Sequence, residues 1–407
     1  MRIWTVVTGE PSPVDGKATR LLRTGLLAQT LAARGHEVVW FNGTFNHNTK
    51  TVRFTENTLL PAEGGLTQAF LHGRPYGGNV SISRICNHID VALSFLKMAQ
   101  GMPKPDVIQC SYPPIELAAA VAYYARKHNI PYILDYRDLW PDIIADVAPA
   151  PLRPLARLSL LPWTRLARWS ARGAAGIVGI TRPFLDWACG FAGRKAGMHD
   201  RVFHLANGAD AATEDAGAFW DAQGVTADKP LFVFSGTLSR RMDLATLIDG
   251  AKLLPPDAAT FVICGKGEAE EDLKARAGTA PNIVFAGWRN QAELQALMRR
   301  ARVGLLPYKS SKDFAWSFPN KVGEYFSYGL PILTCLEGEV SKLIAERGCG
   351  MTYREGDATG FAQAVKATLS ADLAPMKAAA HTLYAAAFNP KTIYNDYADY
   401  LESFRQS

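Results

Sequence analysis

Short continuous apolar runs and helically spaced apolar positions alternate along the first half of the chain. Short runs bounded by glycine or polar residues predict strands, and apolar residues three and four positions apart predict helices. Strands that alternate with helices are typical of a parallel sheet with crossover helices, whose ligands bind at the carboxyl ends of the strands. The predicted strands are residues 3–8, 37–41, 107–110, 132–135 and 176–179, and the predicted helices are residues 21–34 and 115–128.

The second half repeats this alternation after a predicted turn at residues 207–210, so the sequence predicts two doubly wound α/β domains with a cleft between them. We place the boundary at Gly208, which gives a first domain at residues 1–208 and a second at residues 209–389. Residues 42–104 have weak periodicity, and we interpret them as a variable insertion. The predicted strands of the second domain are residues 231–235, 260–264, 283–286 and 303–307, and its helices are residues 244–254, 268–277, 291–301 and 321–328.

Composition supports two ordinary cores, because the chain has 407 residues of which 48% are hydrophobic. The first residues enter a strand without the pattern of a signal peptide, and no apolar run approaches the roughly 18 residues of a membrane span. We therefore expect a cytoplasmic protein that is at most peripheral on a membrane. The six cysteines lie far apart, without a C-x-x-C pair, and are expected to be reduced core residues and neither disulfides nor a zinc site.

The net charge of +6 is unevenly distributed between the two halves. Residues 1–208 contain 23 Lys and Arg against 14 Asp and Glu, whereas residues 209–407 contain 21 against 24. The first domain is therefore the one expected to meet an acidic partner.

The stretch at residues 307–333 places a lysine and a glutamate at a strand-to-helix junction. Lys321 and Glu324 are three residues apart in the first turn of a predicted helix, so they share one of its faces. A helix N-terminus can hold an anion through its unpaired N–H groups, while a glutamate accepts hydrogen bonds from hydroxyl groups. A nucleotide-sugar diphosphate offers both groups, although a lone pair of this kind is more often an ordinary surface ion pair.

Loops that follow predicted strands carry further candidate residues in the first domain. One loop contains Asp15 and Gly16, with Arg20 one turn into the next predicted helix, which begins near Ala18. The glycine lets the backbone approach a phosphate, although the loop is equally well an ordinary turn. Another loop contains Arg137 and Asp138, which either act in a site or cap the loop.

The corresponding loops of the second domain contain arginines and glycines. Arg240 and Arg241 follow the first strand and can neutralise a diphosphate, unless they are merely solvated. Gly265, Gly267 and Arg289 follow the next two strands, where the glycines alone would be a weak signal. The chain has neither a P-loop nor a dinucleotide-binding fingerprint.

The run from Ser317 to Lys321, followed by Glu324-Tyr325 and by Gly329-Leu330-Pro331-Ile332, resembles the donor-binding signature of family-4 glycosyltransferases. That family has the GT-B fold, in which two Rossmann-like domains face each other across a cleft. The resemblance covers essentially the whole chain. It implies that Glu324 contacts the donor ribose, that residues 42–104 are on the acceptor side, and that residues 390–407 form a helix crossing back to the first domain.

The same resemblance implies roles for the loop residues. Asp15-Gly16 stands where the family often has Gly-Gly at the diphosphate, with Asp15 and Arg20 on the acceptor side. Arg137 falls where many relatives have histidine, and Asp138 is expected to face the reacting centre or the acceptor hydroxyl. The remaining expected donor contacts are Gly16, Arg240, Arg241, Gly265, Gly267, Arg289 and Lys321. Trp316 departs from the pattern, because many members have there a glutamate that faces the transferred sugar.

The implied function is a retaining, hexosyltransferase-type transfer of a sugar from a nucleotide diphosphate donor, expected to be a UDP-sugar, to a lipid-linked or saccharide acceptor. The R-D-L-W-P run at residues 137–141 is similar to a subset that acts on bacterial surface-polysaccharide sugars. No D-x-D occurs, so neither a metal nor another cofactor is expected, and no nucleic acid is expected as a partner. A catalytically silent sugar-nucleotide-binding subunit, favoured by Trp316, and a GT-B-like sugar-nucleotide epimerase remain as alternatives.

A basic window without acidic residues runs from residue 147 to residue 185. Leucines and a tryptophan flank its arginine stripe, and Pro162 is expected to break or kink the helix. Such a face suits an anionic membrane surface on the inner side of the cytoplasmic membrane, although the leucines could instead pack inward under solvated arginines. The arginines of the stripe are Arg153, Arg157, Arg165, Arg168 and Arg172.

Overall fold

The computed structural model describes residues 1–16, 19–47, 49–61, 63–78, 81–146, 148–206, 216–226 and 228–405. Contacts divide the chain into two compact units, one formed by Met1–Gly208 with Pro390–Ser407 and the other by Ala209–Asn389. The predicted turn at residues 207–210 and the predicted helix start near Ala18 lie outside the described residues.

The first unit contains an eight-stranded sheet in the order β10-β9-β8-β7-β1-β2-β6-β5. All neighbours pair in parallel except β5, which is antiparallel to β6 at one edge, and β3 and β4 form a separate antiparallel pair. The inner strands are almost entirely buried, as expected for a parallel sheet covered on both faces. The strands are β1 (Arg2–Val6), β2 (Glu37–Gly43), β3 (Phe45–Asn46), β4 (Thr51–Val52), β5 (Thr58–Pro61), β6 (Leu66–Leu71), β7 (Val107–Tyr112), β8 (Tyr132–Tyr136), β9 (Gly176–Gly179) and β10 (Arg201–Val202).

Helices connect these strands and cover the sheet. Short 3₁₀ turns occur at Pro13–Asp15, Glu63–Gly65 and Ala150–Leu152. The helices are α1 (Arg23–Ala33), α2 (Ile82–Gln100), α3 (Ile115–Lys127), α4 (Asp142–Asp146), α5 (Arg153–Ser159), α6 (Leu161–Arg172) and α7 (Arg182–Phe191). The predicted break near Pro162 is confirmed, because α5 ends and α6 begins around Leu160, with the proline in the first turn of α6.

The interpretation of residues 42–104 as an insertion is wrong. This segment supplies β6, which pairs in parallel with β2 in the main sheet, and the 19-residue helix α2, whose Val91 and Phe95 are buried in the core. Its periodicity is weak because α2 also buries the polar residues Asn87 and His88 and carries exposed isoleucines on its other face. The segment is therefore part of the unit's framework.

The second unit contains a six-stranded, fully parallel sheet in the order β13-β12-β11-β14-β15-β16. Its strands are β11 (Leu231–Ser235), β12 (Thr260–Cys264), β13 (Ile283–Gly287), β14 (Val303–Leu306), β15 (Ile332–Thr334) and β16 (Gly350–Thr352). Its helices are α8 (Gly217–Ala222), α9 (Leu244–Lys252), α10 (Glu270–Ala277), α11 (Gln291–Arg300), α12 (Lys312–Ala315), α13 (Asn320–Ser327), α14 (Glu339–Arg347), α15 (Ala358–Ser370) and α16 (Ala374–Leu383), followed by a π-helical turn at Tyr384–Phe388. The predicted fold class of two Rossmann-like α/β domains is confirmed.

The final helix α17 (Pro390–Glu402) belongs to the first unit and packs on α1. Its Tyr397 and Leu401 are fully buried, and the Tyr394 hydroxyl donates a hydrogen bond of 2.5 Å to the carbonyl oxygen of Ala206. Arg34, just beyond α1, forms an ion pair of 2.5 Å with Asp399. The first unit therefore uses both ends of the chain.

Candidate functional site

Three adjacent parallel strands of the second unit end at one pocket of about 290 Å³. Because β11, β12 and β13 are neighbours in the sheet, the loops at their carboxyl ends meet at one edge, where α/β proteins bind ligands. Helices α11 and α13 each add one side chain to the wall. The lining residues are Ser235, Gly236, Thr237, Cys264, Gly265, Lys266, Trp288, Arg289, Leu294 and Lys321.

Glycine is required where the loops after β11 and β12 touch. Gly265 has a φ of +146°, and a Cβ at this position would lie 1.8 Å from the carbonyl oxygen of Gly236. A Cβ at Gly267 would lie 2.3 Å from the carbonyl oxygen of Leu238. The two loops therefore pack backbone against backbone, and they form a wall to which a ligand can come close.

Basic groups from three different elements reach this pocket. Lys266 follows β12, Arg289 follows β13, and Lys321 lies in the first turn of α13. Two of them also have carboxylate partners, since Lys321 Nζ is 2.7 Å from Glu324 Oε2 and Arg289 Nη1 is 3.7 Å from Glu293 Oε1. The structure thus brings the predicted Gly265, Arg289 and Lys321 together, with Glu324 beside the pocket and bound to Lys321.

The other seven lining residues were not predicted as site residues, and they include the side chains of Trp288, Lys266 and Leu294. Trp288 is 66% exposed at the pocket, an unusual position for a large aromatic side chain. Lys266 lies between the two predicted glycines, and Leu294 comes from α11. The sequence did contain a signal for Trp288. It directly follows a predicted strand and a glycine at the carboxyl edge of the sheet, where a large aromatic side chain is not needed for core packing.

The predicted diphosphate contacts Arg240 and Arg241 do not line this pocket. Arg241 stacks on Phe314, with 4.1 Å between guanidinium carbon and ring centre, and its Nη2 is 2.5 Å from Asp313 Oδ2. Arg240 is largely exposed, with Asp272 Oδ2 at 3.8 Å. The loop itself reaches the pocket through Gly236 and Thr237, but the sequence pattern could not give the directions of its arginine side chains.

The carboxyl edge of the first unit holds a buried network of opposite charges. Arg23 at the start of α1 forms an ion pair of 2.7 Å with Asp135 in β8, and both side chains are almost fully buried. Arg137, just after β8, contacts Asp135 at 3.0 Å and also forms an ion pair with Glu10. Burial disfavours both charged forms, but the pairing outweighs it, so the pKa of Asp135 is lowered and the pKa of Arg137 is raised.

Glu10 occupies the N-terminus of α1. Its carboxylate accepts hydrogen bonds from the backbone N–H of Thr24 at 3.1 Å, from that of Gly25 at 3.4 Å and from the Thr24 hydroxyl at 3.0 Å. The positive end of this helix is therefore already neutralised by the protein's own carboxylate. Arg137, predicted as a catalytic residue, is held in the same network.

The loop that carries the predicted acceptor-side residue Asp15 lies at an open pocket of about 470 Å³. Asp15 lines it with Arg53, whose Nη2 is 2.6 Å from Asp15 Oδ2. Burial raises the pKa of Asp15, but the hydrogen bonds from Arg53 and from the Ser12 N–H lower it by more than burial raises it. The pKa of Asp15 is therefore below its ordinary value. Gly16 has a φ of +141°, which suits glycine. Arg20 precedes α1, so the prediction that it lies one turn into the helix is wrong.

Asp138 lies just beyond the network and is half-buried. Its Oδ1 accepts a hydrogen bond of 2.7 Å from the backbone N–H of Leu139. The hydroxyl of Tyr112 donates to the carbonyl oxygen of Trp140 at 2.8 Å and fixes the loop that carries Asp138. Among the described residues no group of three or more His, Cys, Asp or Glu side chains could hold a metal ion.

Comparisons with known proteins agree with this architecture. The sequence matches the family model described as glycosyl transferase 4-like domain over residues 22–208 and the model described as glycosyl transferases group 1 over residues 229–371. No curated protein sequence matches the chain.

Solved structures of similar fold extend over the whole chain. Sucrose-phosphate synthase from Thermosynechococcus elongatus has 15% identity and a TM-score of 0.71, with 99% of this chain and 98% of that chain covered. HepE from Anabaena in complex with UDP-glucose has 15% identity and a TM-score of 0.67, with 99% and 100% covered. WaaG, a glycosyltransferase involved in lipopolysaccharide biosynthesis, has 13% identity and a TM-score of 0.65, with 98% and 99% covered. At these identities the likeness shows the fold alone.

Two matched glycosyltransferase domains on two Rossmann-like units define the class of this protein, which is a glycosyltransferase of the GT-B fold. More narrowly, its first unit is similar to the glycosyl transferase 4-like domain, and its second unit is similar to the glycosyl transferases group 1. This confirms the predicted fold and the predicted general activity.

Proposed function

We propose that the protein transfers a sugar from a nucleotide diphosphate donor, a UDP-sugar, to a lipid-linked or saccharide acceptor with retention of configuration. The observation that carries the proposal is the pocket at the ends of β11, β12 and β13, which combines three cations with an exposed tryptophan. A diphosphate requires cations, and a nucleobase stacks on an aromatic face. HepE, which has the same fold, binds UDP-glucose.

In this proposal each group of the pocket has a role toward the donor. Lys266, Arg289 and Lys321 meet the phosphates, and Trp288 stacks on the base. The charge that develops on the departing diphosphate is stabilised by these fixed cations without a metal, which is an electrostatic mode of catalysis. Glu324 accepts hydrogen bonds from the ribose hydroxyls. Addition of a chelator should then leave the rate of transfer unchanged.

The donor proposal is tested by comparing two Lys/Glu pairs of the second unit. Lys321→Gln and Glu324→Ala alter the pocket pair, whereas Lys342→Gln and Glu339→Ala alter a surface pair of the same i, i+3 spacing, 2.9 Å apart. A hydrogen bond to a charged group contributes about 1.5–3 kcal/mol, so the pocket variants should weaken UDP binding by roughly 10- to 150-fold. Calorimetric titration with UDP measures this. Equal UDP affinity in the pocket and surface variants would remove the assignment.

For the first unit we propose an acceptor role. Asp138 accepts a hydrogen bond from the attacking acceptor hydroxyl, while Arg137 holds its loop through Asp135 and Glu10. An arginine paired in this way stays charged and does not transfer protons. Asp138→Asn should therefore lower kcat and leave UDP affinity unchanged, and a Kd for UDP that shifts together with kcat would contradict the acceptor role.

Trp316 keeps the silent-subunit alternative open, because it stands where many members of the family carry a sugar-facing glutamate. It follows α12, and Lys312 Nζ lies 4.6 Å from its ring centre. Incubation with a panel of nucleotide sugars, with and without lipid extract, separates the candidates. Nucleotide release that needs the acceptor supports transfer, conversion of the sugar alone supports epimerisation, and binding without either supports the silent subunit.

We also propose that the first unit docks on an anionic membrane surface through α5 and α6. The exposure of Leu155, at 65%, and of Leu158, at 61%, supports this proposal over the alternative in which the leucines pack inward. Exposed apolar side chains beside a row of arginines suit the interface of an anionic leaflet, where each cation near the headgroups contributes about 1 kcal/mol. No helix in the described part of the chain is long and apolar enough to cross a membrane.

Vesicle co-sedimentation tests the docking surface. Wild type should bind phosphatidylglycerol vesicles at low salt and release them at high salt. Leu155→Ser with Leu158→Ser should weaken binding, as should Gln at three of the arginines Arg153, Arg157, Arg165, Arg168 and Arg172. Leu253→Ser is the matched control, because Leu253 is a similarly exposed leucine, at 56%, in the second unit. Wild type that ignores anionic vesicles at low salt would refute the proposal.

A further inference from the structure

The strand β11 ends in a serine, whereas its other four residues are apolar. It spans Leu231–Ser235, and all five residues are buried. Ser235 lines the pocket of about 290 Å³ in the second unit, although the residue is only 2% exposed. Its hydroxyl oxygen has no hydrogen-bond partner in the structure. A buried hydroxyl without a partner costs free energy, so a ligand group that bonds to it would account for the serine.

Alternation along β11 places Ser235 on the sheet face that α13 covers. Successive side chains of a strand point to opposite faces, so Ser235 shares its face with Leu231 and Val233. Both of these residues pack in one core cluster with Val322 of α13. The first turn of α13 also carries Lys321, which lines the same pocket. A hydroxyl and a cation thus reach the pocket from the strand and from the helix that covers it.

Ser235 belongs to a row of small residues across three strand ends. It pairs in register with Cys264 of β12, which in turn pairs with Gly287 of β13. Burial raises the pKa of the Cys264 thiol to about 12, while the charges of Arg289 and Lys321 act to lower it. The thiol therefore stays neutral at physiological pH, and it does not neutralise the two cations that face it. An anionic group of a ligand is favoured beside them.

Arg289 supplies a second polar atom without a partner. Its Nε is buried and unpaired, while its Nη1 lies 3.7 Å from Glu293 Oε1. The Nε–H group can only donate a hydrogen bond, and a serine hydroxyl can donate or accept one. Oxygen atoms of a ligand would therefore complement both groups, and phosphate oxygens are the strongest acceptors that a nucleotide offers.

We propose that the Ser235 hydroxyl donates a hydrogen bond to the diphosphate of the nucleotide donor. Trp288 follows β13 and Ser235 ends β11, so two strand spacings, about 10 Å, separate the two positions along the edge of the sheet. A nucleotide whose base stacks on Trp288 crosses this gap with its ribose and brings its phosphates to Ser235. The single side-chain torsion of serine lets the hydroxyl turn toward them. This inference rests on the proposed function, because it assumes a nucleotide with its base at Trp288.

Urea denaturation separates a ligand contact from a structural role. Ser235→Ala removes a buried hydroxyl that bonds to nothing in the protein, so its urea midpoint should equal or exceed that of wild type. Thr334→Val, at the end of β15, is the matched control. The Thr334 hydroxyl donates to the Leu306 carbonyl oxygen at 2.7 Å and accepts from the Leu336 N–H at 3.0 Å, so this variant should unfold at lower urea. A lower midpoint in Ser235→Ala would show that the hydroxyl is bound within the protein and would overturn the proposal.

Calorimetric titration locates the contact on the ligand. Ser235→Ala should weaken binding of UDP and of pyrophosphate about tenfold or more, because a hydrogen bond to a charged group changes affinity by at least about that factor. Binding of uridine, which lacks phosphate, should be the same in wild type and variant. Ser235→Thr keeps the hydroxyl and should restore most of the UDP affinity, and Thr334→Val should bind UDP like wild type. Uridine binding that weakens as much as UDP binding would place the hydroxyl at the nucleoside and overturn the proposal.

Lys321→Gln in the same series distinguishes failure of this inference from failure of the donor proposal. UDP binding that weakens in Lys321→Gln but is unchanged in Ser235→Ala would overturn the role of Ser235 and leave the donor proposal standing. A wild type that binds no UDP would overturn both. We expect Ser235→Ala to lose UDP affinity at an unchanged or higher urea midpoint, a combination that a merely structural serine would not produce.

Discussion

Gly265→Ala is the substitution for which the structure gives the clearest expectation. The residue has a φ of +146°, a conformation that side chains rarely adopt, and its new Cβ would lie 1.8 Å from the Gly236 carbonyl oxygen. Because the opposing atom belongs to the backbone, it cannot rotate away. The loops after β11 and β12 must separate until this distance reaches at least 3.0 Å.

The expected magnitude has two parts. An alanine held in a sparsely populated backbone conformation costs about 1–3 kcal/mol, and forcing apart two packed loops costs a further 1–3 kcal/mol or so. Together they lower the free energy of unfolding by about 2–6 kcal/mol. The same shift moves the wall of the proposed donor pocket, and a displacement of roughly 1 Å can reduce activity about 100-fold.

Gly348→Ala is the matched control for this substitution. Gly348 ends α14 in the left-handed conformation, with a φ of +60°, and a Cβ there meets no atom within 4 Å. Only the backbone penalty of about 1–2 kcal/mol applies, and the pocket is untouched. Urea denaturation and UDP titration of both variants measure the difference. If the two glycine variants lose equal stability and bind UDP equally, the inference that the loops are locked together at Gly265 is wrong.

Two further predictions concern the charges and thiols of the first unit. Asp135→Ala leaves Arg23 buried without its carboxylate, so the free energy of unfolding at pH 7 should fall by about 3–5 kcal/mol in urea denaturation. The pKa of Asp135 is lower in the folded state than in the unfolded state, so its contribution to stability is complete above the unfolded pKa of about 3.9 and is lost as the pH falls through the folded pKa. The difference in the free energy of unfolding between wild type and Asp135→Ala should therefore become smaller only in acid. Of the six free cysteines, Cys86 is half-buried and the other five are buried. A thiol reagent should therefore label one cysteine rapidly in the native protein, and Cys86→Ser should abolish this fast phase. Fast labelling of a second cysteine would contradict the burial of the other five.

Much of the fold could be predicted because the inner strands are buried on both faces. The runs at β9, β11 and β12 are continuous, apolar and bounded by turns, so their limits were predicted residue for residue. Helix α2 could not be recognised in this way, because apolar residues occur on both its faces. Ile82 is 80% and Leu93 is 61% exposed, while Asn87 lies in the core. A pattern assigns a face only when the other face is polar.

The sequence predicted which loops form the candidate site, but it did not predict which side chains contact one another there. Glycines after parallel strands mark a ligand edge, and Gly265 lies where that rule places it. The partners of Arg137 could not be found, because Glu10 is 127 residues away in the chain and nothing local signals the pairing. Arg241 was assigned to the diphosphate from its position in a loop, but side-chain direction is decided by tertiary neighbours such as Phe314.

The discontinuity of the first unit has a consequence for the order in which the protein is made. Helix α17 covers α1, yet it is translated only after every residue of the second unit. Domains generally fold as units during synthesis, N-terminal first, but here the earlier unit lacks Tyr397 and Leu401 until the whole second unit has been synthesised. We therefore expect the second unit to reach its native state first. Until α17 is made, the apolar surface of α1 is exposed to solvent, where chaperones can bind it on the nascent chain.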